Sequence, residues 1–385
     1  MIPLSIPNFE GNEKNYVNQA VEEGWVSTGG AFINQLEENL ADFLHTHSAA
    51  ACQSGTAALH LSLIAAGVGY GDCVIVPTLT FIAAVNPVKY QQAHPIFMDC
   101  DDSLCMDPDK LQEFLEKECE QKDGKTFYKK TGAQIKAVIV VHVFGNLADM
   151  ERIMEIAADW NLKVIEDATE ALGTYYTEGK YAGKRAGTIG DFGAYSFNGN
   201  KIITTGGGGA VTAGEEKMVA YLKYLSTQAK DDPLFYVHNE VGYNYRMTNL
   251  QAALGVAQLE MLDEFINRKN ANYAAYKEQF TGAKNCRLLE FRKGTCPNKW
   301  FYALELNLQK HTLREVIAYL QEKGIQTRAI WGLIHEQKPY AGETAYCIEK
   351  AQYYSKCILN IPCSTNLKKD DLLYTAQTIR HLMEG

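Results

Sequence analysis

Short, continuously apolar segments alternate with amphipathic segments in the first two thirds of the chain. The clearest example lies between residues 135 and 168, where IKAVIVVHVFG, DMERIMEIAADW and LKVIEDA predict a strand, a helix and a strand. A strand that is apolar along its whole length is typical of a parallel sheet with helices on both faces. The alternation therefore predicts an α/β fold built on a mostly parallel sheet.

The same alternation begins near residue 50. Ahead of the strand–helix–strand run we predict the buried strands CVIVP and HPIFMD and the helices TAALHLSLIAAG, FIAAVNPVKYQQ and PDKLQEFLEKECEQ. The helix FIAAVNPVKYQQ carries a proline near its middle, and the polar segment QKDGKTFYKKTGAQ is expected to be an exposed insertion. The order of elements is that of helices covering one sheet.

The pattern changes after residue 255. The segment QLEMLDEFINRKNANYAAYKEQF predicts one long amphipathic helix with Leu259, Leu262 and Phe265 on one side. The later segments FYALEL, LREVIAYLQEKG, QTRAIW and DDLLYTAQTIRHLME predict a smaller α/β unit. We therefore expect a large domain over residues 1–255, including an N-terminal arm, and a small C-terminal domain over residues 256–385.

Composition and charge narrow the class of function. The chain has 385 residues, of which 46% are hydrophobic and 22% charged, and its formal net charge is −9. An acidic chain of this kind is not expected to bind nucleic acid through a broad surface, although a local pocket could still hold a small anion. The first residues, MIPLSIPNFEGNEK, lack a signal-peptide pattern and no apolar run reaches membrane-spanning length. We expect a cytoplasmic protein without a membrane partner.

The cysteines and histidines do not form a metal-binding pattern. The ten cysteines contain no CxxC pair, and the sequence HTH at His45 to His47 belongs more often to a surface turn than to a metal site. We expect reduced thiols and no bound metal.

Two polar clusters fall where strands meet helices, which is where ligands bind to open α/β sheets. In QSGTAALHL, Ser54, Gly55 and Thr56 directly precede a helix whose free N–H groups would suit a phosphate. A plain serine or threonine N-cap explains the same residues at least as well. The strand in VIEDA ends in Glu166 and Asp167, which could bind a metal, orient a histidine, pair with a protonated ring nitrogen or cap a helix.

A third feature is Lys201 in AYSFNGNKIITTGGGGAV, which is followed by four consecutive glycines. A lysine whose surroundings lower its pKa can form a Schiff base with a carbonyl, and otherwise it would be a surface charge beside a flexible turn. A phosphate cradle, an acid and an activatable lysine are together what pyridoxal 5′-phosphate (PLP) requires. Phe81 in PTLTFIAA could stack on the PLP ring or could be a core residue.

Five motifs make the chain recognisable: SGTAALHL, PTLTFIA, IEDATEALGT, GDFGAYSFNGNKIITTGGGGAV and GYNYRMTNLQAALGVAQL. Together they resemble the DegT/DnrJ/StrS family of sugar aminotransferases, within the fold-type I PLP-dependent enzymes. The resemblance covers nearly the whole chain and implies a large domain with a mostly parallel, seven-stranded sheet plus a small C-terminal α/β domain. The segments YSFNGNKIITT, YLSTQAK and QTRAIW are most similar to the branch that aminates C4 of UDP-4-keto-6-deoxy-N-acetylglucosamine.

The resemblance implies a role for each matching residue around the cofactor ring. Lys201 corresponds to the lysine that forms the Schiff base, Asp167 to the partner of the pyridine nitrogen, and Phe81 to the aromatic side chain on the ring. Glu170 stands where many members carry glutamine, a departure shared with the C4 branch, and it is expected near the cofactor.

Two further sets of residues are implied for the phosphate and the substrate. The phosphate would be held in a homodimer with composite sites by Gly55, Thr56, Ser196 and, from the second subunit, Asn244. The candidates for substrate contacts are Asn198, Arg246, Arg328 and His335.

These correspondences imply transfer of an amino group from L-glutamate to the 4-keto UDP-sugar through PLP. The product would enter bacterial surface-glycan or nonulosonic-acid synthesis, including the bacillosamine and legionaminic-acid pathways. Two alternatives stay open: a GDP-4-keto-6-deoxymannose aminotransferase that makes perosamine, and a non-catalytic PLP-binding regulator. No residue identifies the nucleotide base, the substituents at C2 and C3 of the sugar, or the configuration of the new amine.

Overall fold

The computed structural model describes residues 1–384 and contains two main sheets flanked by helices. The strands are β1 (Ala50–Cys52), β2 (Cys73–Pro77), β3 (His94–Met98), β4 (Cys119–Lys122), β5 (Lys125–Tyr128), β6 (Gln134–Val141), β7 (Lys163–Asp167), β8 (Tyr175–Tyr176), β9 (Phe192–Ser196), β10 (Gly209–Ala213), β11 (Cys286–Leu288), β12 (Thr295–Cys296), β13 (Tyr302–Leu306), β14 (Arg328–Ala329), β15 (Thr344–Ala345) and β16 (Ile358–Ile361). The helices are α1 (Glu13–Glu22), α2 (Ala31–Leu44), α3 (Gly55–Ala65), α4 (Asn86–Tyr90), α5 (Pro108–Glu118), α6 (Met150–Asp159), α7 (Glu216–Ser226), α8 (Asn249–Glu260), α9 (Leu262–Phe280), α10 (Leu313–Glu322), α11 (Lys350–Cys357) and α12 (Lys369–Glu384).

The large sheet has the strand order β1-β10-β9-β7-β6-β2-β3-β15. The seven strands from β1 to β3 form the predicted mostly parallel sheet, in which β10 alone runs antiparallel to its neighbours. The sheet reaches ten strands because β15 extends one edge and the β4–β5 hairpin pairs with β6. Strands β2, β9 and β10 are almost wholly buried, as expected for a sheet with helices on both faces. The predicted fold class is confirmed.

Three local predictions need correction. The segment FIAAVNPVKYQQ forms a 3₁₀ turn at Ile82–Ala84 and then the separate helix α4, because Pro87 lacks an N–H and fits only the first turn of a helix. The long helix predicted over residues 258–280 is two helices, since the Met261 N–H bonds to the carbonyl of Gln258 three residues back and closes α8. The insertion at 121–134 is largely exposed, but its β5 strand joins the sheet.

The second sheet has the order β11-β13-β16-β14, with all its pairings antiparallel, and lies in the C-terminal part of the chain. Two connections link this C-terminal part with the large sheet and the N-terminal arm. The N-terminal arm joins it through a bridge between Ile2 and Ile325 and a hydrogen bond from Cys363 N–H to Leu4 O. In the other direction, β15 leaves the C-terminal part and pairs with β3. The domain boundary at residue 255 stays a prediction. Both connections join residues before it to residues after it.

The structure also shows the state of the cysteines and the length and polarity of the helices. All ten cysteines are free thiols, and most of them are buried. None of the helices described in residues 1–384 combines the length and the apolar character needed to cross a bilayer.

We predict that Gly209→Ala destabilises the protein strongly. A Cβ atom at Gly209 would lie 2.5 Å from the carbonyl carbon of Ser54 and 2.7 Å from the backbone nitrogen of Gly55, where no flexible side chain can yield. Overpacking of this kind costs about 1–3 kcal/mol or more of unfolding free energy, measurable by denaturant titration. The control is Gly214→Ala, just past the other end of β10, where a Cβ meets nothing within 4 Å. Equal stabilities of the two variants would contradict the close packing.

Candidate active site

A cavity of about 680 Å³ opens where the carboxyl ends of the parallel strands meet the C-terminal part of the chain. Its volume is in the range of ordinary small-molecule sites, and ligands in open α/β folds bind at this end of the sheet. Most of the predicted site residues line it: Gly55, Thr56, Phe81, Asp167, Glu170, Ser196, Asn198, Lys201 and Arg328.

The start of helix α3 forms one wall of this cavity. Ser54 is an N-cap, because its Oγ accepts a hydrogen bond from the Ala57 N–H at 3.1 Å. The N–H groups of Gly55 and Thr56 lie in the first turn, where a helix offers them no carbonyl partner. A Cβ on Gly55 would come within 2.9 Å of Ser196 Cβ, so glycine allows the start of α3 to pack closely against the end of β9. The N-cap at Ser54 therefore does not use the N–H groups of Gly55 and Thr56, which remain candidates for binding a phosphate.

The glycine run forms the neighbouring wall. Gly207 and Gly208 line the cavity, and Gly209 begins β10 in close contact with the backbone of Ser54 and Gly55. The run therefore allows two backbones to meet beside the helix terminus. It does so next to Lys201, which lies in the connection between β9 and β10.

Glu166 and Asp167 are neighbours in sequence, yet they have different surroundings because successive side chains of a strand point to opposite faces. The Glu166 carboxylate accepts hydrogen bonds from three backbone N–H groups, those of residues 187, 189 and 190, and lies 2.8 Å from His142 Nε2. His142 Nδ1 accepts from Ala148 N–H, so Nε2 carries the proton that it donates to Glu166. Both carboxylate oxygens of Glu166 are therefore hydrogen-bonded within the fold and are not free to bind a ligand.

Asp167 instead lines the cavity. Register places it beside Val141 of β6 and Ala194 of β9, at the carboxyl edge of the sheet. Its Oδ1 accepts one hydrogen bond, from Thr169 N–H at 3.1 Å. Burial raises the pKa of the Asp167 carboxyl, while Thr169 and the positive charge of Lys201 act in the opposite direction. A buried carboxylate in this state favours a cationic partner.

The Lys201 side chain is 12% exposed and ends between an acid and an aromatic ring. Its Nζ lies 3.8 Å from Glu170 Oε1 and 4.1 Å from the centre of the Trp300 ring. Burial lowers the pKa of Lys201, although Glu170 and Asp167 oppose this effect. A lysine with a lowered pKa holds more of the neutral, nucleophilic amine at neutral pH.

The C-terminal part of the chain contributes a wall that the sequence analysis missed. Trp300, Phe301 and Trp331 line the cavity, with the rings of Trp300 and Phe301 stacked at 4.0 Å. Trp300 Nε1 also donates to Asn200 O at 2.7 Å, which ties this wall to the Lys201 connection. The only sequence signal for this wall is the cluster of aromatic residues in NKWFYALEL. That pattern does not indicate which part of the large sheet these aromatic side chains would contact.

Arg246, a predicted candidate for substrate contacts, lies away from the cavity of a single chain. It is only 5% exposed and does not line the cavity. Its guanidinium forms an ion pair with Glu37, with Nη2 at 3.1 Å from Oε2, and also bonds to Ala51 O. Burial alone would raise the pKa of Glu37, but the Arg246 hydrogen bond and charge outweigh it and lower that pKa. Arg246 neutralises the buried Glu37 carboxylate, which would be strongly destabilising without a cation beside it.

His335 and Asn244 also lie outside the cavity of a single chain. His335 Nδ1 is 2.6 Å from Thr78 Oγ1, and burial lowers the pKa of its ring. Asn244 is exposed, and its Oδ1 accepts from Gln228 Nε2 at 3.2 Å.

The residues on either side of Asn244 are anchored. The stacked rings of Tyr243 and Tyr245 both contact His60 of α3, whose Nδ1 is 3.1 Å from the Tyr245 hydroxyl. Burial lowers the pKa of His60 to about 4, so this ring is neutral at physiological pH. Asn244 therefore projects from a fixed segment.

Comparison with known proteins agrees with the geometry of this site. Residues 7–380 match the model of the DegT/DnrJ/EryC1/StrS aminotransferase family. The chain belongs to this family. It is a PLP-dependent sugar aminotransferase, which confirms the predicted enzyme class and cofactor and argues against a non-catalytic regulator.

Individual relatives cover the chain almost completely. EpsN of Bacillus subtilis, named as a pyridoxal phosphate-dependent aminotransferase, is 33% identical over 99% of this chain and 95% of its own. The GDP-perosamine synthase of Caulobacter vibrioides is 36% identical over 96% and 95%. The UDP-4-amino-4,6-dideoxy-N-acetyl-beta-L-altrosamine transaminase of Campylobacter jejuni is 26% identical over 100% and 98%. The crystal structure of a family member from Brucella abortus has the same fold, with a TM-score of 0.88, 24% identity, and coverage of 97% and 96%.

Proposed function

We propose that this enzyme transfers an amino group from L-glutamate to C4 of a 4-keto-6-deoxy nucleotide sugar, for the synthesis of a bacterial surface glycan or nonulosonic acid. The observation that carries the proposal is the convergence of Lys201, Asp167 and the α3 N-terminus on one cavity. An amine, a carboxylate and free N–H donors are the three groups that PLP requires. Family membership adds that the substrate is a sugar.

The residues present fit PLP. When bound, the cofactor supplies an electron sink for the carbanion that forms at the reacting carbon. The N–H groups of Gly55 and Thr56, with the Ser196 hydroxyl, would hold its phosphate. Asp167, whose pKa burial raises, would be kept ionised by a protonated pyridine nitrogen. Phe81 exposes 56% of its surface and so has a face free to lie against the ring.

Lys201 would act both as the attachment point and as the base. Its Nζ would hold the cofactor aldehyde at rest, and as a free amine it would take and return the proton of the substrate carbon that carries nitrogen. The Trp300 ring covers one side of this amine, with 4.1 Å between Nζ and the ring centre. Lys201, Asn198 and Arg328 would face the substrate, since all three line the cavity.

Two acceptors are candidates, each with its own support. The motifs around Lys201 favour UDP-4-keto-6-deoxy-N-acetylglucosamine, while the GDP-perosamine synthase relative, at 36% identity, favours GDP-4-keto-6-deoxymannose. We retain the UDP-sugar as the first candidate because YSFNGNKIITT and QTRAIW, two of the three segments that carry this resemblance, contribute residues to the cavity wall. Apart from Lys201, Arg328 is the one cationic side chain among the described residues of the cavity wall, and its planar fork suits a diphosphate or a carboxylate.

We predict that borohydride reduction traps the cofactor on Lys201 and that Lys201→Ala abolishes turnover. Peptide mapping of the reduced protein locates the adduct. Lys269 serves as an internal control, because it is also buried, with 2% exposure, and burial likewise lowers its pKa. Its Nζ donates to Trp300 O at 2.7 Å and to Cys363 O. These hydrogen bonds engage the Lys269 amine, so we do not expect it to react with the cofactor. An adduct on Lys269 or any other lysine would refute the assignment.

We predict a homodimer in which Asn244 of one chain reaches the phosphate in the other. An exposed apolar stretch precedes Asn244 and supports an interface there: Leu234, Phe235, Tyr236 and Val241. Mixing Lys201→Ala chains with Asn244→Leu chains, each inactive alone, should restore one intact site in every heterodimer. Activity after subunit exchange is the measurement. If heterodimers form and remain inactive, Asn244 does not act across the interface.

We predict a higher kcat/KM for UDP-4-keto-6-deoxy-N-acetylglucosamine than for GDP-4-keto-6-deoxymannose. The second sugar has a hydroxyl where the first has an acetamido group. A site built to hydrogen-bond that amide would be left with unpaired polar groups, a loss that can reach ~10⁴-fold. Half-reactions of the aminated enzyme with both sugars make the comparison. Equal or better turnover of the GDP-sugar would replace our first candidate with the perosamine reaction.

A further inference from the structure

Glu170 is a buried carboxylate whose two oxygens have different surroundings. Oε2 accepts a hydrogen bond from the Phe144 N–H at 2.8 Å. Oε1 faces Lys201, with 3.8 Å between the carboxylate oxygen and Nζ. The Glu170 side chain is 4% exposed, and among residues 1–384 Lys201 is its one ion-pair partner. The acid is therefore almost fully buried, and its one cationic neighbour is the Lys201 amine.

The orientation of Glu170 is imposed by its neighbours. Phe144 has a φ of +56°, a left-handed conformation that is costly for a residue with a bulky side chain. Asn298 Nδ2 donates to the backbone carbonyl of Glu170 at 3.0 Å. Backbone strain that persists next to a reactive group is a reason to look for a functional demand. Here the strained residue holds one oxygen, which leaves the other free for Lys201.

We propose that Glu170 exchanges a proton with Lys201. In this step an N–H bond of the Lys201 ammonium breaks and an O–H bond forms on Glu170 Oε1, so that an ammonium and a carboxylate become an amine and a carboxylic acid. The 3.8 Å separation is longer than a hydrogen bond, so the exchange requires the flexible Lys201 side chain to approach Oε1 or one water molecule to relay the proton. The reverse step restores the ion pair. The inference rests on the proposed function, in which Lys201 is the reactive amine.

The surroundings of the pair determine how strongly each of the two groups holds a proton. Burial raises the pKa of Glu170 to about 7 and lowers that of Lys201, so the two proton affinities approach each other. The other charged group facing the pair is Asp167, whose anion opposes ionisation of Glu170 and stabilises the Lys201 ammonium. His142 lies beyond it and is paired with Glu166. The Trp300 ring face favours the ammonium, so the amine form needs an acceptor.

The first test uses the apoenzyme and needs no turnover. Infrared spectra between pH 6 and 9 would reveal a protonated carboxyl, and labelling with acetic anhydride followed by peptide mapping would report the neutral amine of Lys201. We expect a carboxylic-acid band in the unmodified protein that is absent from Glu170→Gln. The control Glu155→Gln makes the same charge change on the exposed side of α6 and should keep the band. No such band in the unmodified protein would overturn the proposal.

The unmodified protein and the two variants should also differ in the pH at which Lys201 is labelled. Glutamine can still accept the Phe144 N–H bond but cannot hold an anion beside the ammonium. The pH midpoint for labelling of Lys201 should therefore fall by about one unit or more in Glu170→Gln and stay unchanged in Glu155→Gln. An unshifted midpoint would show that Glu170 and Lys201 do not share a proton.

The holoenzyme provides the second test. Glu170 must be ionised to accept a proton, so the rate of the glutamate half-reaction should fall on the acid side with the titration of Glu170. In Glu170→Gln this acid limb should move by about one pH unit or more to lower pH. An unchanged profile would contradict the exchange. If Lys201 carried no cofactor adduct, the proposed function would fail, while the apoenzyme measurements would still decide whether the two groups share a proton.

Discussion

The burial of the Lys201 amine is the constraint on which the organisation of the site depends. An isolated ammonium in an apolar interior is strongly disfavoured, and a lysine in that position either loses its proton or is paired with an acid. Lys201 has both responses available, because its pKa is lowered by burial while Asp167 and Glu170 lie close enough to oppose that shift. A side chain balanced in this way can be a nucleophile at rest and a proton carrier during the reaction.

This burial is produced by two parts of the chain that are far apart in sequence. On one side, the glycine run brings β10 against the first turn of α3, so that the Lys201 connection and the start of α3 share one wall of the cavity. On the other side, Trp300 covers the amine and bonds to Asn200 O. Lys269 in turn supports Trp300 through its backbone carbonyl. Neither part alone would withdraw the amine from water.

Much of the fold could be predicted because it follows from local patterns. Continuously apolar strands alternating with helices predicted the parallel sheet, and the predictions that failed were of helix limits. Pro87 starts α4 instead of interrupting a longer helix, and Met261 ends α8 within an amphipathic pattern that continues into α9. The hairpin and β15 at the sheet margins depend on pairings with distant strands, which no local pattern specifies.

The amino-acid sequence by itself determined the chemical groups of the site and their order along the chain: the glycine and threonine at a helix start, the aspartate at a strand end, and the lysine before a glycine run. It could not distinguish the uses of similar residues. Glu166 and Asp167 differ because the strand points them to opposite faces, and Arg246 and Arg328 differ because Arg246 meets a buried glutamate 209 residues away. Only the tertiary structure decided where these side chains lie and which groups they contact, since the electrostatics of a charged side chain depend on its burial and on its partners in space.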